Sequence, residues 1–100
     1  MIIDSLIDKI KETGNPTVVG LDPRLSLIPE HIVNSAVKEY GPTPKAASQA
    51  FLQFNRAIID AVWDLVPAVK PQIAMYEQFG PEGIACYIDT IQYAKEKGLI

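Results

Sequence analysis

The sequence predicts an α/β fold in which parallel strands alternate with helices. Two short apolar runs, Thr17–Leu21 and Pro67–Met75, read as strands, and the final pair, Leu99 and Ile100, reads as the start of a third. Longer segments between them carry apolar residues at three- and four-residue spacing, as amphipathic helices do. Strand–helix alternation of this kind is typical of a parallel sheet with helical connections.

Four helices are predicted around these strands. The first runs from Ile2 to Thr13, the second from about Glu30 to Tyr40, the third from Pro44 until Pro67 ends it, and the last from Gly80–Pro81 to a stop at Gly98. Each boundary has a local cause, because glycine supplies left-handed cap positions and proline begins a helix more easily than it continues one. Thr43 adds a favourable N-cap to the third helix.

The apolar positions of the third and last helices are expected to face a core, and those of the first helix lie along one face of that helix. They are Ile3, Leu6, Ile7 and Ile10 in the first helix; Ala47, Ala50, Phe51, Phe54, Ala57, Ile58, Ala61, Val62 and Leu65 in the third; and Ile84, Tyr87, Ile88, Ile91 and Ala94 in the last. Aromatic residues on such a stripe are interpreted as core residues, not as a cofactor site.

The composition is that of an ordinary folded protein and does not favour nucleic acid or a membrane as partner. Hydrophobic residues make up 48% of the chain and charged residues 21%, and the net charge is −3 with a pI near 5.0. Nucleic acid and anionic membranes attract concentrated Lys and Arg, which this sequence lacks. No segment reaches the roughly 20 apolar residues needed to cross a bilayer, and the start shows no signal-peptide pattern. A cytoplasmic protein of metabolism is expected.

The chain has one cysteine, Cys86, and one histidine, His31. A single cysteine makes no internal disulfide, and a structural zinc site needs several nitrogen or sulfur ligands, so no metal site is predicted. Cys86 lies on an apolar helical segment, where a small buried hydrophobe is favoured over a nucleophile. His31 is expected to be exposed near a helix start.

The number of strand–helix units indicates a part of a larger domain. Two units leave helix faces and strand edges without partners, and exposed strand edges favour aggregation. A (β/α)₈ barrel needs roughly 250 residues. Residues 1–100 are therefore expected to be the amino-terminal part of a single barrel domain.

Each predicted strand carries one charged residue that needs an explanation. Lys70 lies inside the second strand, and an ammonium is costly to bury without a partner or a wet cavity. Asp22 directly follows the first strand, at the carboxyl end where barrel enzymes place catalytic groups. Alternation along the second strand puts Lys70, Gln72 and Ala74 on one face. The competing interpretations are an Asx-turn or cap for Asp22 and an edge-strand lysine that reaches solvent for Lys70.

Three segments together resemble a known family. They are Val18–Arg24 (VVGLDPR), Phe54–Asp60 (FNRAIID) and Val69–Glu77 (VKPQIAMYE). They look like the amino-terminal part of orotidine 5′-phosphate decarboxylase, in the bacterial type 2 subgroup, which has a long connection after the first strand. The resemblance extends along almost the whole chain.

The resemblance implies a (β/α)₈ barrel that converts orotidine 5′-phosphate to UMP and carbon dioxide, in the last step of de novo pyrimidine synthesis. Members of the family use no metal or organic cofactor and act as homodimers with sites near the subunit interface. Asp22 corresponds to the substrate-binding aspartate that contacts the ribose. Lys70 corresponds to the first member of a Lys-Asp-Lys-Asp charge array beside the pyrimidine, with a supporting catalytic role and a reach to the ribose.

The resemblance also implies residues that these 100 positions do not contain. The family's central motif, Asp-x-Lys-x-x-Asp, is expected beyond Ile100, so the chain is expected to be inactive on its own. Two alternatives stay open, another phosphosugar barrel such as hexulose-phosphate synthase and a non-enzymatic α/β interaction module. Tyr76, Glu77 and Phe79 either border the site or anchor the loop after the second strand. Arg24 either pairs with a carboxylate across the barrel mouth or is solvated.

Overall fold

Two parallel strands, β1 (Val18–Leu21) and β2 (Ala68–Pro71), lie side by side in the computed structural model, which describes all 100 residues. Their residues pair in order, and Gly20 lies opposite Lys70 near the carboxyl ends. The two strands are separated in sequence by helices, so the connection between them is a helical crossover. The predicted α/β fold with parallel strands is confirmed.

The last two residues of the chain lie beside β2 as a third strand would. Ile100 donates its backbone N–H to the carbonyl of Pro67 at 3.1 Å and accepts from the N–H of Val69 at 3.3 Å. Leu99 is buried in the core beside the sheet. The predicted start of a further strand is therefore present as hydrogen bonds, although it is too short to count as a strand of its own.

Five α-helices accompany the two strands. They are α1 (Ile2–Thr13), α2 (Glu30–Tyr40), α3 (Pro44–Val62), α4 (Ile73–Glu77) and α5 (Pro81–Glu96), with a 3₁₀ turn at Leu25–Leu27. The predicted cap of α3 is confirmed, since the Thr43 hydroxyl accepts from the N–H of Ala46 at 3.3 Å and Pro44 takes the first helical position. Gly14 ends α1 with a left-handed φ of 66°, as predicted for a helix-terminating glycine.

The second strand is shorter than the sequence predicts. β2 ends at Pro71, and the residues from Ile73 to Met75, predicted as strand, lie in α4. This helical turn carries Tyr76 into the core, where its ring packs edge-to-face against Phe51 with the centroids 6.2 Å apart. The apolar run predicts a strand correctly up to Pro71, but beyond that residue the burial of a large aromatic side chain determines the backbone conformation.

The interior consists of two clusters of buried residues. The larger is formed by Ile28, Ala36, Ala46, Ala50, Phe51, Leu52, Tyr76 and Cys86, from the helical layer. The smaller is formed by Leu21, Ile59, Val66, Ala94 and Leu99, beside the sheet. Because α3 and α5 each contribute to both clusters, these two helices join the sheet to the rest of the helical layer.

The buried face of α3 differs in part from the predicted stripe. Ala57, Ala61 and Leu65 were expected in the core and are exposed, whereas Asn55 and Ile59 are buried. Apolar residues occur on several sides of this helix, and α3 packs against α2 on one side and α5 on another. The stripe alone therefore does not single out the face that the neighbouring helices cover.

The buried face of α5 is rotated relative to the predicted one. Ile88, expected in the core, is 49% exposed. Ala94 is buried as predicted, and the other buried positions are the smaller residues Gly83, Cys86 and Thr90. A methyl group added at Gly83 would lie 1.7 Å from the backbone oxygen of Tyr76, so α4 lies directly against this small-residue face. Close approach of the two backbones selects small side chains over the larger apolar ones.

The apolar face of α1 has no partner among the described residues. Ile3 is 51% and Ile7 44% exposed, and no residue of this helix is buried. The segment after α1 is attached through Asn15, whose Nδ2 donates to the carbonyl of Leu65 at 3.2 Å. The periodicity of the apolar residues predicts helix α1 correctly. It does not predict which element packs against the apolar face, and among the described residues none does.

Candidate functional site

The carboxyl end of β1 presents Asp22 to solvent. Leu21 before it and Pro23 after it are buried, whereas Asp22 is exposed. A Cβ placed on Gly20 would lie 3.6 Å from Oδ2 of Asp22, so the carboxylate lies over the glycine on the strand face that the two residues share. Because Gly20 has no side chain, the space beside the carboxylate stays open.

Lys70 projects from the same face of the neighbouring strand. It lies opposite Gly20 in the parallel register, and neighbouring strands are about 4.8 Å apart, so both charged residues stand on one side of the sheet. Neither of them takes part in an ion pair. The arrangement brings one cation and one anion to adjacent strand ends, where both are available to a ligand.

The expectation that Lys70 is buried is wrong for this chain. Its side chain is exposed. The structure thus agrees, at the level of exposure, with the alternative of a strand lysine that reaches solvent. Because the side chain of Lys70 is exposed, its ammonium group carries no desolvation cost. The residue still lies opposite Gly20 in the strand register.

A small cleft of about 130 Å³ lies beside Asp22. Asp22, Arg24 and Asn55 line it together with apolar residues of the β1 end and α3. Pockets that enclose a drug-sized ligand are typically about 300–1,000 Å³, so this cleft holds a part of such a ligand at most. The segment supplies one edge of a binding site.

A buried polar network lies directly beneath the end of β1. The Tyr76 hydroxyl donates to the carbonyl oxygen of Leu21 at 2.7 Å and accepts from Nδ2 of Asn55 at 3.0 Å. Asn55 also donates to Oγ1 of Thr90 at 3.1 Å. The network joins α3, α4 and α5 to the residue that precedes Asp22. Burial raises the pKa of Tyr76 well above its ordinary value, so this hydroxyl keeps its proton.

Curated proteins of known name match the chain over nearly its whole length. It is 42% identical over 100 residues to the orotidine 5′-phosphate decarboxylase of Clostridium novyi, 43% over 91 residues to that of Rhodopirellula baltica, and 39% over 97 residues to that of Clostridium kluyveri. The predicted resemblance to orotidine 5′-phosphate decarboxylase is confirmed. The chain spans about a third of the length of these relatives, 29% to 32%, and corresponds to their amino-terminal portion. No protein-family model matches it.

The sequence predicts site roles for the charged residues Asp22 and Lys70 but gives no prediction of the network below them. Asn55 lies within the quoted FNRAIID segment, yet no role was predicted for it. The available signal is spacing, because Asn55 falls midway between Phe51 and Ile59 at four-residue steps on a buried face. A polar residue at such a position needs a buried partner, which points to a network.

The residues after β2 are anchors in this structure. Tyr76 is fully buried, and Phe79 packs edge-to-face on Phe51 with the centroids 5.3 Å apart. Glu77 is exposed. Arg24 is also exposed and makes no ion pair with any carboxylate of the chain. Of the two interpretations weighed for these positions, loop anchoring fits Tyr76 and Phe79, and a solvated side chain fits Arg24.

Cys86 and His31 lie where the sequence predicts. Cys86 is buried, and its burial raises the pKa of the thiol to about 11, so the thiolate needed by a nucleophile is not formed near neutral pH. His31 is exposed in the first turn of α2. The prediction of a buried structural cysteine and an exposed histidine is confirmed.

Two further structural features bear on partners. The structure brings together no group of three His, Cys, Asp or Glu side chains that would hold a metal ion. None of its helices has the length and apolar character needed to span a membrane.

Proposed function

We propose that this chain is the amino-terminal part of a (β/α)₈ barrel that decarboxylates orotidine 5′-phosphate to UMP and carbon dioxide. The observation that carries the proposal is the placement of Asp22 and Lys70 on one face of adjacent parallel strands, at their carboxyl ends. Barrel enzymes build their sites at that end of the sheet. The identity of 42% to the Clostridium novyi enzyme along all 100 residues supports the same assignment.

The proposed role of Lys70 comes from the charge that the reaction creates. Loss of carbon dioxide leaves an electron pair on a carbon of the pyrimidine ring, and fixed positive charge nearby stabilises that carbanion-like centre. Carboxylates of the proposed array would pair with its lysines and hold their ammonium groups beside the ring. Lys70 would orient and balance those carboxylates, while a lysine of the Asp-x-Lys-x-x-Asp motif delivers the proton to the ring carbon.

The proposed role of Asp22 is to bind the ribose of the substrate. A carboxylate accepts hydrogen bonds from sugar hydroxyls, and charged acceptors make stronger hydrogen bonds than neutral ones. Its position over Gly20 leaves room for a sugar ring beside it, since no side chain fills that space. Binding of this part of the substrate contributes affinity and orientation without taking part in bond breaking.

The proposal extends to assembly and location. The barrel would act as a cytoplasmic homodimer that needs no metal or organic cofactor, with residues 1–100 as the first part of one domain. The pI near 5.0 and the lack of a basic cluster favour a small-molecule substrate over nucleic acid. The similarity of the curated relatives favours the decarboxylase over hexulose-phosphate synthase and over an interaction module.

The full product of the gene that encodes this chain provides the test. We expect Asp-x-Lys-x-x-Asp within roughly twenty residues after Ile100, at the end of the next barrel strand, and conversion of orotidine 5′-phosphate to UMP by the purified protein. The isolated 100-residue chain should show no turnover. A full gene product that is folded and dimeric but forms no UMP would contradict the proposal. Turnover of a hexulose phosphate instead would favour the alternative barrel.

A second experiment does not need the residues that follow Ile100 in the full gene product. Residues 1–100 replace the matching 100 residues of the Clostridium novyi decarboxylase, of which they cover 32%. We expect the graft to retain decarboxylase activity, with Lys70→Ala in the graft as the inactive control. A folded graft without activity would show that this segment does not supply the proposed part of the site.

A further inference from the structure

The hydrogen bond from Tyr76 fixes the peptide group that leads into Asp22. The Tyr76 hydroxyl donates to the carbonyl oxygen of Leu21 at 2.7 Å, across 55 positions of sequence. Because a peptide group is planar, the Leu21 carbonyl and the Asp22 N–H turn together. Holding that carbonyl therefore holds the backbone from which the Asp22 side chain projects.

The Tyr76 hydroxyl is itself held in one orientation. Its oxygen accepts from Nδ2 of Asn55 at 3.0 Å, which leaves the hydroxyl hydrogen directed at Leu21. Asn55 is held in turn by its second hydrogen bond, to Thr90 at 3.1 Å. All four residues are at most 1% exposed, so water does not compete for these bonds. Buried networks of this kind are rigid because every alternative geometry leaves a polar group without a partner.

This buried polar network makes the folded state less stable than a well-packed apolar core in the same place would. Oδ1 of Asn55 is buried with no hydrogen-bond partner, and a buried unpaired acceptor is destabilising. An apolar residue on the same face of α3 would fill the space without that cost. The network ends instead at the backbone group next to Asp22, beside the cleft that Asp22 and Asn55 both line.

We propose that Tyr76 and Asn55 are positioning residues that set the place of the Asp22 carboxylate in the substrate-binding site. The inference rests on the proposed function, because it assigns these residues an effect on substrate through Asp22. Tyr76 is buried and acts through its hydrogen bond to the Leu21 carbonyl, and Asn55 acts through its hydrogen bond to Tyr76. The effect falls on KM, since the contact of Asp22 with the ribose is the same before and during the reaction.

The test is Tyr76→Phe in the full gene product, which removes the hydroxyl and keeps the ring. We expect KM for orotidine 5′-phosphate to rise about tenfold and kcat to change less than about threefold, as for a lost binding contact. Thr43→Ala is the matched control, because it removes a side-chain hydrogen bond at the start of α3, outside the network of Tyr76, Asn55 and Thr90. It should lower the midpoint of thermal unfolding by a similar amount and leave KM within about twofold.

A double-mutant cycle with Asp22→Ala separates positioning from general loss of structure. In the Asp22→Ala background, Tyr76→Phe should produce no further rise in KM, because the group that it positions is gone. Additive effects would overturn the positioning role, as would an unchanged KM in Tyr76→Phe while the wild-type protein is active. A folded wild-type protein without activity would overturn the proposed function itself, and this inference with it.

If the Tyr76→Phe protein does not fold, a second variant tests the same proposal in the same double-mutant cycle. Asn55→Ala then takes its place, because it frees the Tyr76 hydroxyl to rotate while leaving the ring in the core. We expect KM to rise about threefold, and again no further rise in the Asp22→Ala background. An unchanged KM would overturn the inference.

Discussion

Gly83 is the position at which a single methyl group tests how closely α4 and α5 pack. A Cβ built there would lie 1.7 Å from the carbonyl oxygen of Tyr76 and 3.2 Å from Cβ of Phe79. Real Cβ contacts are not shorter than 3.0 Å, so Gly83→Ala forces the backbone of α4 to retreat by at least 1.3 Å. The atom in the way is main chain, which no rotamer change can move aside.

Two opposing effects set the magnitude for Gly83→Ala. Glycine in a helix interior is about 1 kcal/mol less favourable than alanine, so the substitution gains that amount from backbone entropy. Overpacking a core costs about 1–3 kcal/mol, and a clash with backbone belongs at the upper end of that range. The net expectation is a loss of about 2 kcal/mol in the free energy of unfolding, measured by urea denaturation of the full gene product.

The same shift should also reach the carboxyl end of the sheet, where the proposed site lies. Tyr76 is carried by α4, so a shift of its backbone loosens the hydrogen bond to Leu21, and KM should rise together with the loss of stability. Ala85→Gly is the matched control, since Ala85 is exposed on the same helix and loses about 1 kcal/mol from helix propensity alone. A Gly83→Ala protein that is more stable than wild type would refute the close approach of the two helices.

Further predictions concern the charges at the strand ends and the buried thiol. Lys70→Ala should lower kcat by about 100-fold without changing the unfolding midpoint, in line with the loss of one charge from a catalytic array, and unchanged turnover would contradict its role. Asp22→Asn should raise KM by about tenfold or more, because it replaces a charged acceptor by a neutral one. Gly20→Ala should leave stability within about 1 kcal/mol, since its new methyl group makes an ordinary 3.6 Å contact with Asp22, yet it should weaken substrate binding by filling the open space. Cys86 should react with a thiol reagent only when the protein is unfolded. Because burial raises its pKa to about 11, the stability that it contributes is full below about pH 9 and is lost as the pH rises through 11, which urea titrations of wild type and Cys86→Ala would show.

The start of α3 and both ends of α2 could be predicted because their causes are local. Thr43 and Pro44 form a cap and first-turn pair that depends on no distant residue, and α2 lies over Glu30–Tyr40 as predicted. The same holds for the strand β1, which lies within one residue of the predicted range. Asp22 and Lys70 are predicted as site residues by the same kind of reasoning, from one charge directly after the first strand and one inside the second.

The features that could not be predicted depend on packing between elements. Whether Ile73–Met75 continues a strand or turns into a helix depends on the core space that Tyr76 fills. Which face of α5 is buried depends on how closely α4 approaches Gly83. The exposure of Lys70 depends on what covers the sheet, which no property of the β2 sequence determines. The periodicity of apolar residues predicts single helices and strands, whereas these three features depend on how two elements pack against each other.

The exposed charges of Asp22 and Lys70 depend for their positions on the buried network and on the pairing of the two strands. Catalysis by fixed charges requires that they be held in place before the substrate arrives, since side chains that reorient in water lose most of that benefit. Asp22 and Lys70 are both exposed, so their own surroundings in this segment do not fix them. The backbone at Asp22 is held by the buried hydrogen bond that the Tyr76 hydroxyl donates to the Leu21 carbonyl. Lys70 is constrained by the pairing of β2 with β1, which sets it opposite Gly20. The rigid contribution of this segment to the proposed site is therefore the backbone beneath the two charges.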